Sequence, residues 1–181
     1  MRILLSILAF CSLVLTVQSQ PIGYMATRFS DSFMEWDVLD DEESVAGELV
    51  LRWPLQEDWT VWDYEVGDHS GYIKQKFKDD PSQWEVRGDG TVVTARTIWN
   101  NDFSEWRVTN NDITLTLYSR YSNNAEEWLI REENLGGFYM YTVYEGDPRD
   151  WKIESALSEE VPVTMQMALI FLVLFHATPK E

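Results

Sequence analysis

Cysteine is all but missing: Cys11 is the only one in 181 residues, and it stands inside an apolar run at the N-terminus. A chain that loses this run on export keeps no thiol, no disulfide and no thiolate metal ligand, so its stability has to come from packing. Histidine is nearly as scarce. His69 and His176 are the only two, and neither shares a motif with a nucleophile or a second ligand, which leaves Ser/His/Asp and histidine–metal chemistry without a sequence signal. Cations are few as well: 14 Lys and Arg against 31 Asp and Glu give a formal net charge of −17. Nucleic acids and anionic lipid surfaces are bound by neutralising phosphates, so both are excluded as partners of this surface. There is no glycine-rich phosphate loop and no zinc spacing. The acidic run Asp37 to Glu43 offers oxygen ligands but misses the EF-hand pattern. No metal and no cofactor are expected.

What the chain has in quantity is aromatic side chains, with 9 Trp, 8 Tyr and 8 Phe. They are periodic. A bulky residue, six intervening residues and a tryptophan recur as Phe29/Trp36, Leu55/Trp62, Phe77/Trp84, Trp99/Trp106, Tyr121/Trp128 and Tyr144/Trp151, with successive tryptophans 22 to 26 residues apart. A fixed period of this size marks a tandem array of one supersecondary unit. Each tryptophan opens a strand, as in Trp84-Glu-Val-Arg and Trp106-Arg-Val-Thr. A turn such as Gly88-Asp-Gly90 or Asn110-Asn-Asp112 reverses it, and a longer strand rich in β-branched and aromatic residues returns. Arg87-Gly88-Asp89 spells an integrin-type tripeptide, but turn chemistry already accounts for it.

Two strands and two turns fill such a repeat, leaving no room for crossover helices. The fold class expected is therefore all-β: an antiparallel meander of about a dozen strands, built from six Trp-bearing hairpin repeats and forming an open curled sheet or a barrel. Pro54, Pro81 and Pro148 fall in the connecting loops, where a missing N–H breaks no ladder. Three residues after each leading side chain stands Ser32, Asp58, Asp80, Asp102, Asn124 or Asp147. Asp80-Pro81 and Asp147-Pro148 read as the cap and first residue of a single helical turn.

Both ends differ from the repeats. Residues 1–19 read as a signal peptide, with Arg2 as the n-region, Ile3 to Val17 as the h-region and Val17/Ser19 as the small-residue cleavage pattern. Export through the Sec pathway follows, to a secreted, periplasmic or cell-surface location. Residues 20–160 then form the β-hairpin repeat domain, and residues 161–177 a hydrophobic C-terminal helix packed on the sheet, starting near Pro162. Apolar almost all round, Val161 to Ala177 needs cover on several sides. It is also the only segment offering membrane contact, at the lower length limit for a bilayer core of about 30 Å. Strands such as Tyr72-Ile-Lys-Gln-Lys76 speak against a membrane barrel, whose outer face must be apolar.

Facing each leading aromatic with its tryptophan would produce a continuous row, of which Trp84, Trp99, Trp106, Tyr121, Trp128, Tyr144 and Trp151 are the candidate binding residues. Such a row packs a core, or it stacks on the flat apolar faces of a ligand. Glu35, Gln83, Glu105, Glu127 and Asp150, each before a repeat tryptophan, point to the opposite face. The functional expectation is a non-enzymatic binding or scaffold module whose partner is a protein or a glycan. A carbohydrate-binding module using the Trp row is the alternative. A carboxylate-dependent hydrolase comes third, since it needs two carboxyl groups in one cleft.

Overall fold

Successive strands pair with their sequence neighbours throughout the computed structural model, which describes residues 22–121 and 124–180. The expected leader, residues 1–19, lies outside the described residues. The strands are β1 Tyr24–Thr27, β2 Glu35–Leu39, β3 Val45–Trp53, β4 Asp58–Val66, β5 His69–Phe77, β6 Asp80–Gly88, β7 Thr91–Thr97, β8 Glu105–Thr109, β9 Thr114–Tyr121, β10 Asn124–Ile130, β11 Phe138–Tyr144 and β12 Asp147–Ser155. They form an antiparallel meander that closes into a barrel of 12 strands. Closure rests on short β1, which pairs with β2 on one side and β12 on the other, Met25 facing both Val38 and Trp151. Each of the twelve described strands is paired on both sides, which removes the liability of an exposed edge among them.

Tight turns lie at one rim and bulged loops at the other. Along β5 and β6, Gln75 pairs with Trp84 and Phe77 with Asp80, so two residues of one strand are matched by four of the next. The same kind of register shift occurs at β3/β4, β9/β10 and β11/β12. Here the expected helical turn at Asp80-Pro81 and Asp147-Pro148 is corrected: both residue pairs open strands. The capping chemistry is kept. Oδ1 of Asp58, Asp80, Asp102, Asn124 and Asp147, and Oγ of Ser32, each accept the backbone N–H two residues on. Such a side-chain acceptor holds the chain in a turn without a helix.

Helix α1, Val163–Ala177, runs through the lumen from the turn rim to the looped rim. Side chains of the wall alone just fill a barrel of about eight strands. A wider barrel needs other material inside, and a helix about 10–12 Å across supplies it. Every residue from Met167 to Phe175 is buried, which explains why the segment is apolar on all sides. At its C-terminal end Thr178 Oγ1 donates to the Leu174 carbonyl at 2.6 Å and Lys180 Nζ to the Phe175 carbonyl at 2.5 Å. A cation is favoured there by the helix dipole. Among the described residues no helix is long and apolar enough to cross a membrane, which says nothing of strands.

The wall carries ion pairs on its outer face: Arg28 with Glu35, Asp37 and Glu48, Arg52 with Asp63, Arg120 with Glu127, and Arg131 with Glu105. Charge of both signs on the outside with apolar residues inside is the reverse of the pattern a lipid-facing barrel shows.

Candidate functional site

The periodic pair divides in two. Trp36, Trp62, Trp84, Trp106, Trp128 and Trp151 all point into the lumen and are 3 % exposed or less. Each occupies an even-numbered strand and lies under its own loop, because its indole N–H donates to the carbonyl three residues back: Phe33, Trp59, Pro81, Phe103, Ala125 and Pro148, at 2.7–3.1 Å. One bond satisfies both the buried indole donor and a loop carbonyl, as buried polar groups require. The bond also fixes which way the ring turns.

The first members behave oppositely. Phe29, Leu55, Phe77, Trp99, Tyr121 and Tyr144 stand at the looped rim, with exposures from 46 % for Tyr121 to 97 % for Leu55. The expected single row of leading aromatics and tryptophans is therefore corrected to two rings: an inner one of tryptophans and an outer, solvated crown. In four of the six repeats a bulge is the physical reason, since it inserts residues between the two members; in the other two, Phe29 and Trp99 lie in the loop beyond the ends of β1 and β7. Of the candidate residues, Trp84, Trp106, Trp128 and Trp151 belong to the core, while Trp99, Tyr121 and Tyr144 are accessible. Phe29, Leu55 and Phe77 complete the crown. The period already contained them, and their exposure was the part that spacing does not encode.

Local chemistry differs around this rim. Lys76 lies 5.6 Å from the Phe77 ring centroid and the Arg120 guanidinium 5.6 Å from that of Tyr121. The Trp99 indole donates to Glu105 Oε2 at 3.2 Å, which steadies an otherwise solvated ring. Beside Tyr121 opens a cleft of about 350 Å³ lined by Asn101, Asp102, Ser104, Ser119, Asn124 and the His176 ring, among others. Asp102 is held below the usual carboxylate range by the Ser104 hydroxyl and then the Ser104 amide, so it stays an acceptor. His176 stacks on Phe103 at 4.8 Å and lies 4.8 Å from Trp106, and among the described residues its Nε2 has no hydrogen-bond partner. Burial first, and the charge of Lys180 second, push it down to about 3, which keeps it neutral.

His69 sits at the opposite rim, its Nδ1 2.8 Å from Asp89 Oδ2 on an exposed turn. Among the described residues no group of three or more His, Cys, Asp or Glu is placed to hold a metal ion. Comparison of the chain with protein-family models, with curated proteins and with solved structures finds no match in any of the three.

Proposed function

We propose that this chain is a non-enzymatic binding module whose contact surface is the crown of exposed side chains at the looped rim. One observation carries the reading: the same repeat position is bulky and apolar six times over, yet in every copy the side chain is about half exposed or more. A position that stabilises the barrel would be buried like its tryptophan partner. Water-facing aromatics in a ring are the usual anchors of protein contacts. The lumen supports the same conclusion, because α1 fills it and leaves the rims and the outer wall as the places for a partner.

A carbohydrate partner is the second reading, favoured by the cleft beside Tyr121. There an aromatic ring stands with the amides of Asn101 and Asn124 and the hydroxyls of Ser104 and Ser119, donors and acceptors suited to sugar hydroxyls. The test presents wild type and the triple variant Trp99→Ala/Tyr121→Ala/Tyr144→Ala to a glycan array and to a displayed-peptide library. A ligand in either panel that the folded triple variant fails to bind supports the reading, and the panel says which class it belongs to. Ligands that survive the triple substitution, or no ligand in either panel, would overturn it.

A further inference from the structure

Eight arginines lie among the described residues, and six of them, Arg28, Arg52, Arg87, Arg120, Arg131 and Arg149, have a carboxylate partner within hydrogen-bond range. Arg96 and Arg107 have none. They are not scattered: Arg96 on β7 and Arg107 on β8 face each other across the ladder, on the outer wall. Residues so placed have Cβ atoms about 4.5–5.5 Å apart, and like charges there repel. With 31 acidic side chains in the chain, a carboxylate at this place would have been the expected neighbour.

The row around the pair withholds it. Arg96 faces Gln83 on β6, and Arg107 faces Thr116 on β9. In four of the six repeats the residue before the tryptophan is an acid, namely Glu35, Glu105, Glu127 and Asp150. In the repeat that faces Arg96 it is the amide Gln83. The nearest acid along β8, Glu105, is engaged by Arg131 at 2.8 Å and by the Trp99 indole. A cleft of about 300 Å³ opens over the pair, lined by Ser82, Gln83, Arg96, Thr97, Asn100 and Arg107, with Ile98 its apolar member. Two planar guanidinium forks, two amides and two hydroxyls form a donor-rich cradle with no carboxylate in it.

We propose that this cleft is an oxyanion-binding site, taking a carboxylate, sulfate or phosphate group between Arg96 and Arg107. Guanidinium groups bind such groups through paired N–H···O bonds, and one anion between two cations removes their mutual repulsion. The site lies on the wall of β6 to β8 and does not depend on the crown being a contact surface. The oxyanion is either a free inorganic ion or a group carried on a larger ligand.

The experiment follows the side-chain Nε–H resonances of Arg96 and Arg107 while sodium sulfate, sodium phosphate, a sulfated oligosaccharide and its unsulfated counterpart are added. Ionic strength is kept constant with sodium chloride. Saturable shifts at both arginines with sulfate or phosphate, absent with the unsulfated sugar, are expected. Equal affinity for inorganic sulfate and the sulfated sugar identifies a free-ion site, and binding at least tenfold tighter for the sugar identifies a site for a carried group. As a second readout, sulfate is expected to raise the melting temperature of wild type and not that of Arg96→Gln/Arg107→Gln. That variant removes exposed, unpaired side chains and is expected to fold as well as wild type without sulfate. Shifts no larger than chloride gives, or a sulfate-dependent rise in melting temperature that persists in the double variant, would overturn the site whatever becomes of the crown.

Discussion

Phe171 of α1 meets Trp84 of β6 edge to face, with ring centroids 4.7 Å apart and planes inclined at 69°. The same phenyl ring lies 5.8 Å from Trp62, and Phe175, one helical turn on, lies 4.7 Å from Trp84. The helix and the inner ring of tryptophans are therefore one aromatic core rather than a plug in a preformed tube. Removing either half would leave a lumen lined by apolar side chains and no chemistry to fill it with water.

Truncation of Phe171 follows from this. Phe171→Ala should destabilise the fold by about 3–5 kcal/mol, the range for deleting a buried aromatic whose surroundings relax only in part. Urea denaturation followed by tryptophan emission checks it, since unfolding exposes the buried indoles to water, while the folded variant keeps its blue-shifted emission because the apolar cavity stays dry. A loss below about 1 kcal/mol would mean that the barrel holds without the helix in its lumen.

The two members of one repeat should respond in opposite ways. Trp106→Phe keeps a ring in the lumen but deletes the indole N–H bonded to the Phe103 carbonyl at 2.8 Å. Leaving that carbonyl unpaired costs about 1–3 kcal/mol, to which lost volume adds. Trp99→Ala removes a ring that is 62 % exposed and should change stability by less than about 1 kcal/mol. The same substitution should remove part of the acrylamide-quenchable tryptophan emission, with Trp53, 41 % exposed, keeping the rest, since the six lumen indoles are shielded.

Strand number, meander order and the C-terminal helix were legible in the sequence because each has a period: the Trp spacing fixes the hairpins, and the unbroken apolar run from Met167 to Phe175 fixes the helix. Closure was not legible, since it depends on the four residues of β1 finding β12, about 125 positions away, with no local pattern to announce it. Sidedness of the leading aromatics was lost for a different reason. Alternation assigns faces only along an unbroken strand, and the bulge between Phe77 and Trp84 breaks it. The Arg96/Arg107 pair needed the β7/β8 register, which a sequence supplies only once the hairpins are aligned.

Glycine does specific work at the turn rim. Gly71 and Gly88 are cross-strand partners, and a Cβ at Gly88 would lie 2.1 Å from the Tyr64 hydroxyl oxygen. That hydroxyl donates to Thr164 Oγ1 at 3.3 Å, and Thr164 donates to the Gly88 carbonyl at 3.0 Å, joining the first turn of α1 to β4 and β6. Gly88→Ala should therefore cost about 1–3 kcal/mol as an overpacked site. Adding Tyr64→Phe should recover part of that loss, because the clashing oxygen goes, though the Ser70 carbonyl 2.8 Å from the same Cβ remains. A double-mutant cycle from chemical denaturation measures the coupling, and additivity within about 0.5 kcal/mol would show that the phenol is not what excludes a side chain at Gly88.

His176 gives the fold a pH dependence whose sign is fixed by burial. Its folded value is lowered from 6.5 to about 3, so between these limits the unfolded chain binds a proton that the folded chain does not. Stability contributed by the neutral ring is complete above pH 6.5 and is lost as pH falls, at a slope approaching about 1.4 kcal/mol per pH unit. Titration of carboxylates contributes nearer their own range, and Asp150, raised by burial and by Asp147, acts in the opposite sense. The difference between two proteins isolates the histidine. His176→Phe keeps the stacking on Phe103 and Trp106 and has nothing to protonate. Going from pH 8 to pH 5.5, wild type should lose about 1.4 kcal/mol more than the variant in urea denaturation. Parallel profiles over that interval would mean that the ring takes up its proton without leaving the aromatic core, through water entering from the cleft beside Tyr121.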